Sequence, residues 1–359
     1  GTFAFKAGFS SAPRPEAFVP APAGGAGVAA DVDFWHELLR ASLRVRGSRG
    51  AAPQHRPLVL AISPLAPRKV REALCQVAFE GLGAPAVFVG STAFLSVLGA
   101  GMSTALVLDV GEHGTHAIPV EDGCPAKHCA AVSAAGGAAL TASMATMMEE
   151  SGCTLPSGVD WLAAGRLAKE RFGYVASDFG EEVRRVMASA LPPPWCEPVA
   201  GLGSFQASRG EGFRCAELLF GGGYANTAGT HGAEAAGLNV TPSGKRASKG
   251  IHELIIESLR LQSNINLRGR LLENILLVGG STFLPGIEDR LLREVRALSS
   301  WVAPGKKPEA VRVHAPSERG NLAWLGGAAL AECDMLRQLW TSRAEYESVG
   351  AAAIHRSFV

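Results

Sequence analysis

The residues with the clearest chemical potential lie in a strand–turn–strand segment at 106–120. An apolar strand ends at Asp109, and a turn containing Gly111, His113 and Gly114 leads into a second strand. A buried strand of this kind delivers a carboxylate to the edge of a sheet, and small turn residues allow backbone N–H groups to approach a phosphate. The same pattern occurs in ordinary hairpins, and His113 is bulky. The segment alone therefore indicates either a phosphate and metal site or a structural hairpin.

A second turn of this type follows the apolar strand predicted at 274–278. Gly279 and Gly280 begin the turn, and residues 287–297 predict a helix beyond it. The first amide groups of a helix have no partner within the helix, so a strand, a double glycine and a helix N-terminus build a corner that faces an anion or a nucleotide.

Alternating strands and helices must position these two turns, which favours an α/β fold with mixed sheets. Apolar runs predict strands at 57–62, 86–89 and 310–314, a hairpin at 1–20, and strand, turn and helix within 130–148. Periodicity predicts helices at 33–45, 68–81, 91–99, 137–150, 250–262 and from about residue 161. Three segments are expected to be irregular: a connection at 190–212, a low-complexity insertion at 221–249 and a turn at 324–328 that leads into a helix.

The composition favours a folded protein of about two domains. The chain has 359 residues, of which 47% are hydrophobic and 19% charged, so it can bury a large core. Its formal net charge is +1, so we expect neither direct nucleic-acid binding nor attraction to an anionic membrane. We expect no membrane insertion, because no apolar run reaches the length of a span, and we recognise no signal peptide. The chain begins at Gly1 without a methionine, which is compatible with a trimmed N-terminus.

The seven cysteines are scattered and odd in number, which favours a reducing compartment over a disulfide framework. Cys124, His128 and Cys129 lie close together, but no second ligand pair stands at metal-site spacing. We therefore interpret this group as structural rather than as a zinc site.

The motifs and their order resemble those of the actin family. Residues 279–287 are similar to the actin adenosine loop, 109–116 to its second phosphate loop, and 169–179 to the helix that covers the adenine. Residues 213–215, 250–253 and 340–358 match in the same order. The resemblance covers nearly the whole chain, apart from about 187–209 and 221–249. Within the family it is greatest to the actin-related proteins that end the filament of dynactin, although the tail fits that group less well.

The resemblance implies an actin-like two-lobed ATPase fold of the actin, hexokinase and heat-shock ATPase superfamily, lacking most of the small subdomain 2. The outer lobe would comprise 1–102 and 315–359, with a vestige of subdomain 2 near 21–32. The inner lobe would comprise a core of 103–140 with 245–314 and a subdomain at 141–244 that carries the insertion.

The resemblance also implies a site for ATP or ADP with Mg²⁺. Asp109 would hold the metal through water, and His116 would join the network of water and protons. The residues matching nucleotide-binding positions are Gly1, Thr2, Lys6, Asp109, Gly111, Gly114, Thr115, Gly137, Lys169, Glu170, Gly279, Gly280, Ser281 and Leu284.

Several departures from the actin pattern weaken the case for catalysis. Thr92 stands where actin carries the glutamine that positions the attacking water, and a short hydroxyl cannot orient water in the same way. Phe3 and His113 replace phosphate-loop glycines, and Gly320 stands where actin places an adenine-side lysine. The resemblance therefore implies a bound nucleotide that is hydrolysed poorly or not at all, so we do not expect an enzyme. An empty, degenerate cleft is the alternative.

The largest departure is a deletion before helix 33–45. Actins insert there a lobe of several dozen residues, which carries the loop by which one filament subunit grips the next; this chain has only a short loop at 21–31. The receiving groove would be lined by Leu98, Gly99, Leu330, Cys333, Met335 and Leu339, all of which could equally be core residues. A subunit with the groove but no loop can dock on a filament end without extending it.

The leading hypothesis is thus a non-polymerising, structural subunit of a hetero-oligomer that caps the pointed end of an actin-like filament. Its expected partners are actin-like filament subunits and pointed-end complex proteins in a dynactin-type complex, in the cytoplasm and on the cytoskeleton. The alternatives are an actin-related subunit of a nuclear chromatin-remodelling complex and an active actin-type ATPase.

Overall fold

A computed structural model describes residues 3–6, 32–45, 57–151, 153, 155, 158–188, 195–199, 203–207, 210–221, 249–356 and 358, and the structural statements below concern these residues. The strands are β1 (Phe3–Lys6), β2 (Leu58–Ile62), β3 (Ala86–Ser91), β4 (Ala105–Val110), β5 (Thr115–Glu121), β6 (Cys124–Pro125), β7 (Ala131–Ser133), β8 (Trp195–Val199), β9 (Gly203–Ala207), β10 (Ile275–Val278), β11 (Val313–His314) and β12 (Thr341–Ser342). The α-helices are α1 (Val32–Val45), α2 (Arg68–Gln76), α3 (Thr92–Gly99), α4 (Gly137–Glu150), α5 (Trp161–Phe172), α6 (Phe179–Ala188), α7 (Glu211–Ala216), α8 (Ile251–Leu261), α9 (Ile265–Leu272), α10 (Ile287–Leu298), α11 (Leu322–Glu332) and α12 (Arg343–Val349).

The chain divides into two compact units, and the first contains Gly1–Thr104, Val120–Lys127 and Asn321–Val359. Its sheet has the order β1-β2-β3-β12. The first three strands are parallel, and β12 runs antiparallel to β3. Strands β2 and β3 are apolar and buried almost throughout, as expected for strands covered on both faces.

The second unit contains Ala105–Pro119 and His128–Gly320. Within it β11, β10, β4 and β5 are neighbours in that order, and β7 also pairs with β5. Strand β10 is parallel to both β4 and β11, so the carboxyl ends of β4 and β10 lie side by side. Because the pairing places Val278 opposite Asp109, the two turns singled out from the sequence emerge next to each other.

The mixed α/β class and most long elements predicted from the sequence are confirmed. The strands predicted at 57–62, 86–89 and 274–278 and the helices predicted at 33–45, 91–99, 137–150, 250–262 and 287–297 agree with the structure to within about two residues. The division of the second lobe into two subdomains stays a prediction.

Other expectations were wrong, in part or in whole. The helix predicted at 68–81 ends as a π-helix at Val77–Gly81, and the strand predicted at 310–314 is reduced to β11 by a 3₁₀ turn at Pro308–Ala310. The supposed connection at 190–212 contains the antiparallel pair β8–β9 and the start of α7. Helices α6 and α9 were not anticipated.

The beginning of the chain also differs from the expectation. Of the hairpin predicted at 1–20, the structure describes only β1, which pairs with β2 in parallel; the rest lies outside the described residues, as does most of the insertion at 221–249. No helix in the described part of the chain is both long and apolar enough to cross a membrane.

Helices α3 and α11 of the first unit pack backbone against backbone. A Cβ atom at Gly326 would overlap the Leu95 carbonyl oxygen and lie 2.9 Å from the Gly99 nitrogen, and one at Gly99 would overlap the Leu322 carbonyl oxygen. Residues 324–328, predicted as a turn, are therefore the middle of α11, where glycine permits the close approach.

A buried arginine ties α10 to two other segments of the second unit. Both Arg290 and Glu217 are buried, and the guanidinium donates to both Glu217 carboxylate oxygens, at 3.0 and 3.3 Å. It also donates to the Ala176 carbonyl at 2.9 Å and to Glu294 at 2.7 Å, and lies 4.8 Å from the centre of the Phe220 ring. Burial raises the pKa of Glu217, although Arg290 acts in the opposite direction.

We expect Arg290→Met to lower the free energy of unfolding by about 3–5 kcal/mol at neutral pH, because it leaves the buried Glu217 carboxylate unpaired. Burial raises the folded-state pKa of Glu217 above the ordinary value of 4.5, and loss of Arg290 removes the charge that opposes this shift. The folded variant should therefore take up a proton above pH 4.5, and its deficit in the free energy of unfolding should shrink as the pH falls from neutral towards 4.5. Urea denaturation between neutral pH and pH 4 measures both effects.

Two controls accompany this prediction. Arg293, whose side chain is 47% exposed, should tolerate the same replacement with little change, because solvent screens its ion pairs. The double variant Arg290→Met with Glu217→Leu should recover most of the lost stability. A deficit that does not depend on pH would contradict the role given to the carboxylate.

Candidate functional site

The carboxylate at the end of β4 has an unused capacity for a ligand. Asp109 follows four fully buried residues and is itself only partly buried. Its Oδ2 lies 3.7 Å from Nε2 of His116, too far for a hydrogen bond. In the part of the chain that the structure describes, this nitrogen is buried and has no hydrogen-bond partner. Two polar side chains therefore lie close together at the end of the sheet without a hydrogen bond between them.

The turn after Asp109 caps helix α4 with its own carbonyl groups. The amide of Gly137 donates to Gly111 at 2.9 Å, and that of Ala138 donates to Glu112 at 2.7 Å. The turn is closed by a bond of 3.0 Å from the Gly111 amide to the Gly114 carbonyl. These two amides of the α4 N-terminus are consequently engaged by the protein itself.

The Glu112 side chain occupies the space beside Gly137. A Cβ atom at Gly137 would overlap the Glu112 carboxylate and lie 2.9 Å from the Ser281 hydroxyl. The carboxylate also accepts a hydrogen bond of 2.9 Å from Arg166 on α5. A negative charge at a helix N-terminus is favourable, so Glu112 supplies an internal anion at this position.

The second turn lies against the first. Gly279 has a φ of 98°, and a Cβ atom there would lie 2.5 Å from the Val110 carbonyl oxygen and 2.6 Å from Oδ1 of Asp109. Only glycine combines this backbone angle with this approach. Ser281 donates its hydroxyl to the Gly111 carbonyl at 3.3 Å, which joins the two turns. Gly280 is exposed, with no atom within 4 Å of its Cβ position.

Lys169 is bonded to the protein rather than exposed at the site. Its side chain is buried, and its ammonium donates to the Gly137 carbonyl at 3.0 Å and to the Thr141 hydroxyl at 2.9 Å. Burial lowers its pKa. In the described molecule Lys169 connects α5 to α4, and its contact with a nucleotide stays a prediction.

The remaining sequence-predicted residues fall into three groups. Gly1 and Thr2 lie outside the described residues, and Lys6 lies on β1 without a described side chain. Leu284 and Thr115 are buried, and the Thr115 hydroxyl donates to the Ala135 carbonyl at 2.6 Å. Glu170 is exposed on α5.

Thr92 and the predicted groove belong to the first unit. Thr92 is the first residue of α3, which Ser91 caps by accepting a bond from the Phe94 amide. Leu330 is fully buried in a hydrophobic cluster, and Leu98 and Leu339 are partly buried against the same cluster. The other three predicted groove residues are Gly99, which packs on α11, Cys333, which is partly exposed, and Met335, whose side chain is not described.

Four residues of this region were not assigned a role from the sequence. Glu112 and Arg166 form the ion pair over α4, and Arg319 lies 4.2 Å from the centre of the exposed Phe283 ring. The positions of two of them in the sequence weakly indicated a role at the site. Glu112 lies in the turn that resembles a phosphate loop, and Arg166 lies one helical turn before Lys169. Phe283 lies within residues 279–287, which resemble the actin adenosine loop, but a single phenylalanine after a strand is also typical of core.

Only some of the polar groups at this site are available to bind a nucleotide with Mg²⁺. Asp109 offers a carboxylate without a hydrogen-bond donor among the described residues, and Mg²⁺ commonly binds through one carboxylate, waters and phosphate oxygens. In the described ranges no three side chains of His, Cys, Asp or Glu form a metal cage. Asp109 and the Gly279–Ser281 turn could hold the metal and phosphates, whereas the α4 amides at 137 and 138 already have partners.

Fold and site together describe an α/β protein with two glycine turns at the carboxyl ends of adjacent parallel strands, an arrangement suited to phosphate groups. The family model described as Actin matches residues 2–159 and 166–359. The chain therefore belongs to the Actin family, as the resemblance of its motifs implied. This family generally binds ATP or ADP with Mg²⁺.

Proposed function

We propose that this protein is a non-polymerising actin-related subunit that caps the pointed end of an actin-like filament in a dynactin-type motor adaptor. The observation that carries the proposal is the short connection between β1 and α1. Only residues 7–31 lie between these elements, where the actin pattern places an additional lobe that grips the next subunit. A subunit without that lobe can end a filament but offers little to a further subunit.

An apolar surface on the first unit supports docking. Leu98 and Leu339 pack against the cluster that contains Leu330 while remaining partly exposed, so apolar area is left for a partner. We propose that this surface receives the last filament subunit or a pointed-end complex protein. The protein would then work in the cytoplasm, on the cytoskeleton.

We further propose that the bound nucleotide is ATP or ADP with Mg²⁺ and that it is hydrolysed poorly. Thr92 lacks the reach to orient an attacking water, and the Glu112 carboxylate adds negative charge beside the α4 N-terminus. The Asp109 carboxylate, which accepts no hydrogen bond from the described residues, would bind the metal. Binding without turnover suits a subunit whose role is structural.

Filament growth tests the proposal directly. At saturating concentration the purified protein should stop pointed-end elongation and leave barbed-end elongation unchanged. Leu339→Glu should weaken capping at least tenfold, because it places a charge in the apolar surface. Val349→Glu, at a residue that is 61% exposed on α12, is the matched control and should cap normally. Unchanged pointed-end growth at saturation would show the capping role to be wrong.

Two further measurements separate the alternatives. Recovery with chromatin-remodelling subunits from nuclei, without cofractionation with dynein and dynactin, would favour the nuclear function. Phosphate release above background, abolished by Asp109→Ala, would show an active ATPase.

A further inference from the structure

Two positively charged side chains of the first unit lie over the same aromatic ring. The guanidinium carbon of Arg71 is 4.2 Å from the centre of the Phe358 ring, and the ammonium nitrogen of Lys127 is 4.0 Å from it. Because both distances end at one point, the two charges lie within about 8 Å of each other. Charges at this separation still interact at physiological ionic strength, so the pair presents a common positive potential.

No carboxylate pairs with either of these side chains in the part of the chain that the structure describes. Arg71 and Lys127 have no ion pair with the described residues, and the buried Nε of Arg71 has no hydrogen-bond partner among them. Glu72, the next residue along α2, accepts or shares a hydrogen bond of 2.7 Å with Nε2 of His355. The carboxylate that lies closest in sequence is therefore already engaged elsewhere.

Arg68 extends this positive region by one turn of α2. Residues three apart on a helix lie on the same face. Burial and then the charge of Arg68 lower the pKa of Arg71, while Glu72 raises it by less. Burial and then the charge of Arg71 lower the pKa of Lys127. Arg68, Arg71 and Lys127 therefore form a basic cluster whose members repel one another.

The Phe358 ring organises the basic cluster. It is partly buried and packs against the hydrophobic cluster that contains Val70 and Leu74 of α2, which fixes its position. Each face of an aromatic ring attracts cations, whereas its edge carries partial positive charge. An anion beside the exposed part of the ring would therefore meet a positive edge and two cations that the ring already restrains, which lowers the entropy lost on binding.

We propose that the basic cluster, together with Phe358, binds an acidic segment of a partner protein through its side-chain carboxylates. A guanidinium pairs with a carboxylate through two parallel hydrogen bonds, and an ammonium binds it as a point charge. In an extended segment, residues two apart point to the same side and lie about 6–7 Å apart. Two acidic residues separated by one other residue would thus reach both Arg71 and Lys127.

A protein partner fits the basic cluster better than a membrane surface does. Sites for anionic lipids commonly combine about four to eight basic residues, and the cluster has three. The formal net charge of the whole chain is only +1, so the rest of the molecule adds little attraction to an anionic surface. The proposal is independent of nucleotide binding and of filament capping.

Fluorescence anisotropy of the full chain with a labelled peptide of four Glu-Ser repeats tests the proposal. Binding by the wild type should weaken as salt is raised, because salt screens exposed charges. Lys127→Glu and Arg71→Gln should each weaken binding about tenfold, since hydrogen bonds between charged groups are the strong ones. Lys307→Glu, at an exposed lysine of the second unit, is the charge-matched control and should bind within about twofold of the wild type.

Phe358→Ala distinguishes an organised site from a general excess of positive charge. It changes no charge, but should weaken peptide binding about threefold because the two cations lose the ring that positions them. Thermal unfolding checks that the variants are folded, and Arg68→Glu, at an exposed residue, keeps the test decisive if Arg71→Gln does not fold.

Three results would overturn the proposal. They are no peptide binding by the wild type at low salt, equal losses in Lys127→Glu and Lys307→Glu, and unchanged affinity in Phe358→Ala. Vesicles that contain phosphatidylserine provide the comparison with a membrane. Displacement of the peptide by these vesicles, with their binding abolished by Lys127→Glu, would show that the cluster serves a lipid surface and would contradict the choice of a protein partner.

Discussion

Gly279→Ala is expected to lower the free energy of unfolding by about 3–5 kcal/mol and to weaken nucleotide binding by more than tenfold. The backbone at Gly279 has φ 98° and ψ 156°, a region that costs a residue with a Cβ atom about 1–3 kcal/mol. The new methyl group would also stand 2.5 Å from the Val110 carbonyl oxygen and 2.6 Å from Asp109. To relieve this overlap, the turn after β10 must move away from the end of β4, which separates it from the Asp109 carboxylate proposed to hold the metal.

The neighbouring glycine provides a matched control. Gly280 has no positive φ and no atom within 4 Å of its Cβ position, so Gly280→Ala should change the free energy of unfolding by less than about 1 kcal/mol. Urea denaturation of the two variants, prepared in parallel, compares a methyl group at adjacent positions. Equal losses of unfolding free energy in both would show that the close approach of the two turns does not stabilise the fold.

The elements of the fold that could be predicted are those whose local sequence, by its composition or periodicity, is enough to indicate a strand or a helix. Strands β2 and β10 are apolar throughout, and each is followed by a segment with helical periodicity. Strand β4 is apolar except for Asp109. The order of these elements indicated the α/β class. Asp109 and Gly279 were identified as an acid and a glycine at the ends of such strands, whereas His116 was identified only through the resemblance to the actin family.

The elements that could not be predicted depend on contacts that form only in the folded protein. Pro198 and Gly203 made the pair β8–β9 resemble a loop, although proline is tolerated on strands that lack a partner on one side. Helix α9 begins after polar residues, where Asn264 in fact caps it through the amides of Asn266 and Leu267.

The candidate site also contains contacts that could not be predicted. The Glu112 side chain occupies the space beside Gly137, and the Phe283 ring occupies the space beside Gly320, although the members of each pair lie far apart in sequence. No local pattern encodes that relation.

Gly326→Ala is expected to cost about 3 kcal/mol or more of stability in the first unit. The added methyl group would overlap the Leu95 carbonyl oxygen and stand 2.7 Å from the Leu95 carbonyl carbon, so α3 and α11 must separate. Backbone atoms cannot rotate away as a flexible side chain can, which places the cost at or above the upper end of the usual range for overpacking. Hydrogen exchange should accelerate in both helices. Capping should also weaken, because Leu98 of the proposed docking surface lies on α3 and packs against the cluster that contains the buried Leu330 of α11.

Gly269→Ala is the control, and we expect it to raise the stability that Gly326→Ala lowers. Gly269 is also a buried helical glycine, on α9, but the nearest atom to its Cβ position is the flexible Lys306 side chain at 3.7 Å, an ordinary van der Waals contact. The methyl group therefore fits, and alanine should stabilise the helix by about 0.5–1 kcal/mol relative to glycine. Opposite shifts in the midpoint of thermal unfolding would establish that close backbone contact, rather than burial or helix propensity, requires glycine at position 326. Stabilisation by both substitutions would mean that α3 and α11 can separate at little cost, and the docking surface built on them would then be adaptable rather than fixed.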